Sequence, residues 1–267
     1  MKSCGMRLEK VTSADGASIA IERIGHGKPL LVIHGAASSR HRWFLSAPAL
    51  GEGRELILMD RRGRGDSTDG TAYRIEQEYD DLVAVVTHIG KPLDILAHSY
   101  GALITIGTAP RLQQVDNIVL YEPPLRFVSA DPGDLPSRIE ACVTNGDLEG
   151  GLRLFLKQVG VTEAEVEKLR ALPNWPQRLT IVPTIPREMR TASALTFPAD
   201  HLGKMKHRIL LQLGSDSPTS FGTAIEMLSK TLPNAKVEIL AGQKHQAMDT
   251  NPALFVKSVR TFLGDGA

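Results

Sequence analysis

The sequence predicts an α/β fold: a mostly parallel, doubly wound sheet that opens with an antiparallel hairpin and carries a helical insertion after its sixth strand. Three observations predict it: short Ile-, Leu- and Val-rich runs that suit buried parallel strands, segments of helical period between them, and one long proline-punctuated stretch where the alternation lapses. Residues 6–24 alternate apolar and polar side chains around Ser13-Ala14-Asp15-Gly16, as two half-exposed strands joined by a turn do. Four apolar runs follow at 29–34, 55–60, 93–98 and 117–122, each the length of one buried strand. Within 73–89, Ile75, Tyr79, Leu82, Val83, Val86 and Ile89 mark one face of a helix. Pro123-Pro124 then opens a stretch to about residue 207 whose helical patterns are broken by prolines, including Pro173-Asn174-Trp175-Pro176, and this stretch reads as a helical lid. Strand patterns return at 208–213 and 236–241, followed by helix-like segments at 221–231 and 251–263. The expected division is a core of 1–122 and 208–267 with a cap of 123–207.

Composition narrows the class of function. A chain of 267 residues with 42% hydrophobic side chains has ample material for one large core, and 31 basic against 30 acidic residues leave a formal charge of +1. So even a balance offers no field to gather nucleic acid or an anionic membrane, and a small, mostly neutral ligand is the expected partner; oligomeric state is left open. Cys4 and Cys142 lie far apart and lack the spacing of a zinc site or a disulfide framework, which suits reduced thiols. The N-terminus has no signal-like apolar core, and no run approaches the roughly 20 apolar residues that span a bilayer, so a cytoplasmic location is expected.

The run Ile95-Leu96-Ala97-His98-Ser99-Tyr100-Gly101-Ala102 sets a serine where an apolar strand ends and a helix begins. It reads as a nucleophile elbow, a strained turn that requires small residues two before and two after the serine, here Ala97 and Gly101. A serine hydroxyl is a poor nucleophile at neutral pH, so Ser99 needs a base, an acid to orient that base, and donors for a developing oxyanion. His245, between the last strand and the last helix, is the expected base because it falls at the same carboxyl edge of the sheet. His98 neighbours the serine but points the other way and is expected to pack beneath the turn. His34-Gly35-Ala36-Ala37 forms a glycine-containing turn beside the elbow, and the backbone amides of Ala36 and Tyr100 are the expected oxyanion donors. The loop Asp60-Arg61-Arg62-Gly63-Arg64-Gly65-Asp66-Ser67 is assigned a structural role, since its arginines lack the phosphate-loop lysine pattern.

Taken together, His34-Gly35, the Asp60–Ser67 loop, the elbow at Ser99 and the Gly242-Gln243-Lys244-His245 segment make the chain resemble the α/β-hydrolase superfamily from its hairpin to its final helix. The resemblance implies an α/β-hydrolase fold with a cap over the active site. It also implies a triad acid, and here the chain departs from the common pattern. Most members place an aspartate three residues after the glycine that ends the seventh strand, but Gly214-Ser215-Asp216-Ser217-Pro218 puts a serine there and Asp216 one residue early. Some members carry the acid directly after the sixth strand instead. Glu122, 23 residues after Ser99, holds that place and is preferred, with Asp216 kept as the alternative.

A serine at the elbow sets the chain apart from relatives with an aspartate nucleophile and implies an acyl-enzyme route, with neither cofactor nor metal required. Ester, thioester or carbon–carbon bond hydrolysis are the expected reactions. A cofactor-free haloperoxidase or perhydrolase, a biosynthetic cyclase or acyltransferase, and a non-catalytic small-molecule receptor are the alternatives. Trp43, Phe127 and Trp175 are candidate substrate contacts, as are Phe44, Phe155 and Phe197.

Overall fold

The computed structural model describes residues 6–126 and 133–265. Cys4 and Phe127, singled out above, lie outside them. Eight strands form one sheet: β1 (Arg7–Thr12), β2 (Ser18–Gly25), β3 (Lys28–Ile33), β4 (Arg54–Met59), β5 (Leu93–His98), β6 (Val115–Tyr121), β7 (Arg208–Gly214) and β8 (Ala235–Leu240). Their order is β1-β2-β4-β3-β5-β6-β7-β8. β1 and β2 pair antiparallel, β2 meets β4 antiparallel, and every later pairing is parallel. Each expected strand is present, the hairpin included.

The helices are α1 (Ala47–Leu50), α2 (Ile75–Ile89), α3 (Tyr100–Thr108), α4 (Leu135–Thr144), α5 (Leu148–Gln158), α6 (Glu163–Arg170), α7 (Trp175–Ile181), α8 (Ile185–Ala194), α9 (Ala199–Gly203), α10 (Thr219–Thr231), α11 (Ala247–Thr250) and α12 (Pro252–Leu263). None among the described residues is long and apolar enough to cross a membrane. The period-two alternation of β3 divides the core. Leu31 and Ile33 face α2, α3 and α10, whereas Leu30 and Val32 face α1 and α12. Both faces are covered, which is why these strands read as unbroken apolar runs. Between β6 and β7, α4 to α9 replace the single crossover helix. They hold a small core of their own around Ile139, Leu152, Leu156, Trp175 and Val182, into which Ala37 inserts from the turn after β3.

The winding direction reverses between β3 and β5, the place where open α/β sheets leave a crevice beyond the strand ends. Ala36 follows β3 and Ser99 follows β5, so the turn after β3 and the elbow after β5 meet there.

The Asp60–Ser67 loop is tied down by charge. Arg61 binds Glu78 and Glu188, Arg62 binds Asp81 and Asp15, and Arg64 binds Glu188. Asp60 accepts hydrogen bonds from the amides of Arg40 and Asp66. Glu78 and Asp81 sit on the buried face of α2 among its apolar residues because their carboxylates neutralise these guanidinia. Tyr79 and Val83, expected on that face, are only half-buried.

Candidate active site

Ser99 has φ 53° and ψ −120°, a region non-glycine residues seldom visit and one that costs about 1–3 kcal/mol. Close packing holds it there: its amide donates to the Tyr121 carbonyl at 2.9 Å. A Cβ at Gly101 would come within 2.5 Å of the His34 carbonyl oxygen, so only glycine fits as α3 leaves the elbow. The amides of Ala36 and Tyr100 have no acceptor among the described residues, and both residues line a cavity of about 470 Å³ together with Ser99.

Glu122 follows β6 directly with φ 46°, another left-handed non-glycine residue, and is fully buried. Its amide donates to the Gln212 carbonyl at 3.1 Å, which turns its side chain inward. Oε2 lies 2.6 Å from His245 Nδ1. Oε1 accepts from the Gly214 amide at 2.7 Å and from Ser217 Oγ at 2.5 Å. With Nδ1–H donating to the carboxylate, the His245 Nε2 keeps a lone pair that can accept a proton. Phe221 stacks on the His245 ring, with centroids 4.4 Å apart and planes at 16°. Asp216 is not brought to this histidine. It is exposed and accepts from Ser215 Oγ at 2.7 Å.

Two more histidines hold the backbone. His98 is buried, and its Nε2–H donates to the His245 carbonyl at 3.0 Å. Burial, with the neighbouring His245 charge second, holds its pKa well below the usual value, so it stays neutral. It supports the His245 backbone rather than merely filling space beneath the elbow. His34 donates from Nδ1 to the Gly35 carbonyl at 2.8 Å and accepts the Arg61 amide at Nε2, and burial likewise lowers its pKa strongly. Both bonds fix the turn after β3.

A second, smaller niche adjoins the large cavity. Ala36, Ser99 and Phe155 line both spaces, and His98, His245, Arg42 and Arg178 close the niche. The large cavity is walled by Leu125 and Phe221 from the core and by Phe155, Met189 and Glu188 from the insertion.

Four aromatic expectations need correction. Phe44 is half-buried, Phe197 packs against the main core with its ring stacked on His201, and neither lines either space. Trp43 is fully buried below the site, stacked on Phe255 at 6.2 Å, and lines neither space. The short helical turn that carries it aims the ring into the core. Trp175 belongs to the core of the insertion and lines neither space; its ring lies 5.9 Å from the Arg178 guanidinium. Sequence reasoning missed Phe221, Ser217 and Arg178. Ser217 alone had a signal, because it stands on the spot where the resemblance places the usual acid. Among the described residues no three His, Cys, Asp or Glu side chains converge as a metal site requires.

Comparison with known proteins agrees with this fold. A model of the Alpha/beta hydrolase family matches residues 30–257. The (E)-2-((N-methylformamido)methylene)succinate hydrolase of Acinetobacter baylyi is 21% identical over 244 residues, covering 90% of this chain and 91% of that protein. The non-heme haloperoxidase of Rhodococcus erythropolis is 25% identical over 260 residues, 90% of this chain and 94% of that one. The crystal structure of an alpha/beta hydrolase from Sphaerobacter thermophilus has a TM-score of 0.82 at 28% identity, covering 96% of this chain and 100% of that one. The chain belongs to the alpha/beta hydrolase family.

Proposed function

We propose that the protein is a serine hydrolase that acts through an acyl-enzyme on a small ester, thioester or carbon–carbon bond, with Ser99, His245 and Glu122 as its triad. The observation that carries this reading is the pairing of a strained Ser99 elbow with a His245 whose Nδ1 is held 2.6 Å from a buried Glu122 carboxylate. His245 Nε2 takes the Ser99 proton as Oγ attacks the carbonyl carbon, and the amides of Ala36 and Tyr100 receive the oxyanion. His245 then passes that proton to the departing atom. Water, deprotonated by His245, attacks the acyl carbon, and collapse of the second tetrahedral intermediate releases the acid and restores Ser99. Asp216 takes no part. The helices between β6 and β7 act as the cap, and Phe155 and Met189 are its contacts with the acyl part of the substrate.

The name of the Rhodococcus relative favours a second reading, in which hydrogen peroxide replaces water and the product is a peracid. Peracid formation from acetate and peroxide, measured by halide oxidation, identifies it.

The test is acid-quenched mass analysis during turnover of 4-nitrophenyl acetate. The expected result is steady release of 4-nitrophenol with an acetyl group on the peptide bearing Ser99. No adduct and no turnover, with this ester and with short-chain thioesters, would overturn the hydrolase reading.

A further inference from the structure

Seven arginines of the described residues are buried: Arg40, Arg42, Arg54, Arg61, Arg62, Arg64 and Arg178. Six of them meet a carboxylate. Arg40 pairs with Glu22 and Asp60, Arg54 with Asp94 and Asp265, and the three arginines of the Asp60–Ser67 loop with the acids described above. Arg42 pairs with Asp249 at 2.8 Å. Arg178 has no such partner. It is 4% exposed, and its Nε and Nη1 are buried without any hydrogen-bond acceptor. Its guanidinium lies over the Trp175 ring, and the carboxylate that acts on its charge, Asp249, is already held in an ion pair by Arg42. Burial, with the Arg42 charge second, drives its pKa down to about 9, so it is still a cation at neutral pH.

A buried, unpaired guanidinium is among the more costly features a fold can carry, and in a finished structure such groups are paired or wait for a counterion. The position of Arg178 says which. It projects from α7 into the small niche that Ser99 and His245 also line. The rest of that lining supplies no balancing charge: Arg42 is already neutralised by Asp249, and His98 is held neutral. The niche measures only about 10 Å³, room for about one oxygen-sized group, and it adjoins the large cavity, with Ser99, Ala36 and Phe155 lining both. An anion entering from the large cavity can therefore set one oxygen against the guanidinium while its carbon frame stays outside. A planar carboxylate suits this entry and the fork of Arg nitrogens.

We propose that Arg178 receives a carboxylate of the substrate, so that the hydrolase acts on small carboxylate-bearing compounds in preference to neutral ones. The substrate class rests on the serine-hydrolase reading, whereas the anion site does not, and the test separates them.

Matched substrates are compared by kcat/KM: mono-4-nitrophenyl succinate against its methyl ester, with the carboxylate on the acyl side, and 4-acetoxybenzoate against its methyl ester, with the carboxylate on the leaving group. In the wild type one of these pairs is expected to favour the acid by about ten- to a hundredfold, the range of a charge-assisted hydrogen bond. The ratio should collapse toward one in Arg178→Met, chiefly through KM, and be partly kept in Arg178→Lys. In parallel, free succinate should raise the Tm of the wild type and not that of Arg178→Met. No preference in either pair, or a preference that persists in Arg178→Met, overturns the proposal, as does equal stabilisation of both proteins by succinate. Succinate stabilisation that needs Arg178, in a protein with no turnover of any ester, upholds the anion site and rejects the hydrolase reading instead.

Discussion

Ser217 Oγ donates to Glu122 Oε1 at 2.5 Å, so the residue at the position where the family resemblance places the triad acid binds the carboxylate proposed for that role. The two loops, after β6 and after β7, converge on the same histidine. The loop after β7 thus supplies a donor that fixes the rotamer of the carboxylate on the loop after β6.

That relationship ranks three variants. Glu122→Gln should lower kcat by about 10³- to 10⁴-fold, the penalty seen when a triad acid loses its charge and the histidine its tautomer. Ser217→Ala should cost about tenfold in kcat with little change in KM, because the Gly214 amide still holds Oε1. Asp216→Asn should stay within about twofold of wild type. Steady-state kinetics on one ester checks all three, and a larger loss in Asp216→Asn than in Glu122→Gln would reassign the acid.

Glu188 on α8 is the buried acid for Arg61 and Arg64, joining the insertion to the core loop beside the cavity. Arg64 meets no other carboxylate among the described residues, while Arg61 keeps Glu78. Glu188→Gln should therefore destabilise the protein by about 3–5 kcal/mol, since it leaves a buried cation uncompensated. Urea unfolding measures this, and a loss below about 1 kcal/mol would show that the cluster is hydrated in solution.

Arg178→Met should act in the opposite direction. No described partner is orphaned by the change and a buried charge is removed, so stability should rise by about 1–3 kcal/mol and Tm with it. A lower Tm would mean that the guanidinium has a counterion in the free protein.

The pH dependence of stability follows from His34 and His98. Both have folded pKa values well below the ordinary one, so the unfolded chain takes up their protons first as pH falls. The stability they contribute is complete above about pH 6.5 and is lost below it, by up to about 1.4 kcal/mol per pH unit for each ring. Urea midpoints should fall between pH 7.5 and 5.5, and the fall should be shallower in His98→Asn. A flat profile would contradict the neutral, buried assignment of both rings.

The strands were legible because both faces of the sheet are covered, which leaves a period-independent apolar signal in β3 to β7, and the elbow because Ala97 and Gly101 answer a local steric demand. His245 was legible from its place after β8. Less was readable wherever a side chain is set by a partner remote in sequence. The buried face of α2 contains Glu78 and Asp81, which periodicity counts as solvent-facing, because guanidinia 17 and 19 residues away need them. Trp43 and Trp175 were read from residue type alone, and rings of that size are as well suited to a core as to a pocket. The even overall charge says nothing of where charges sit, because a sum over the chain cannot register one buried arginine such as Arg178 that forms no ion pair among the described residues.

The most direct test of the central claim is labelling of the wild type and of Ser99→Ala with a fluorophosphonate, read by intact mass. The account predicts one label per wild-type chain and none on the variant, with both proteins unfolding at similar urea concentrations. A label that persists in Ser99→Ala, or a wild type that takes up none, would contradict an activated serine at the elbow.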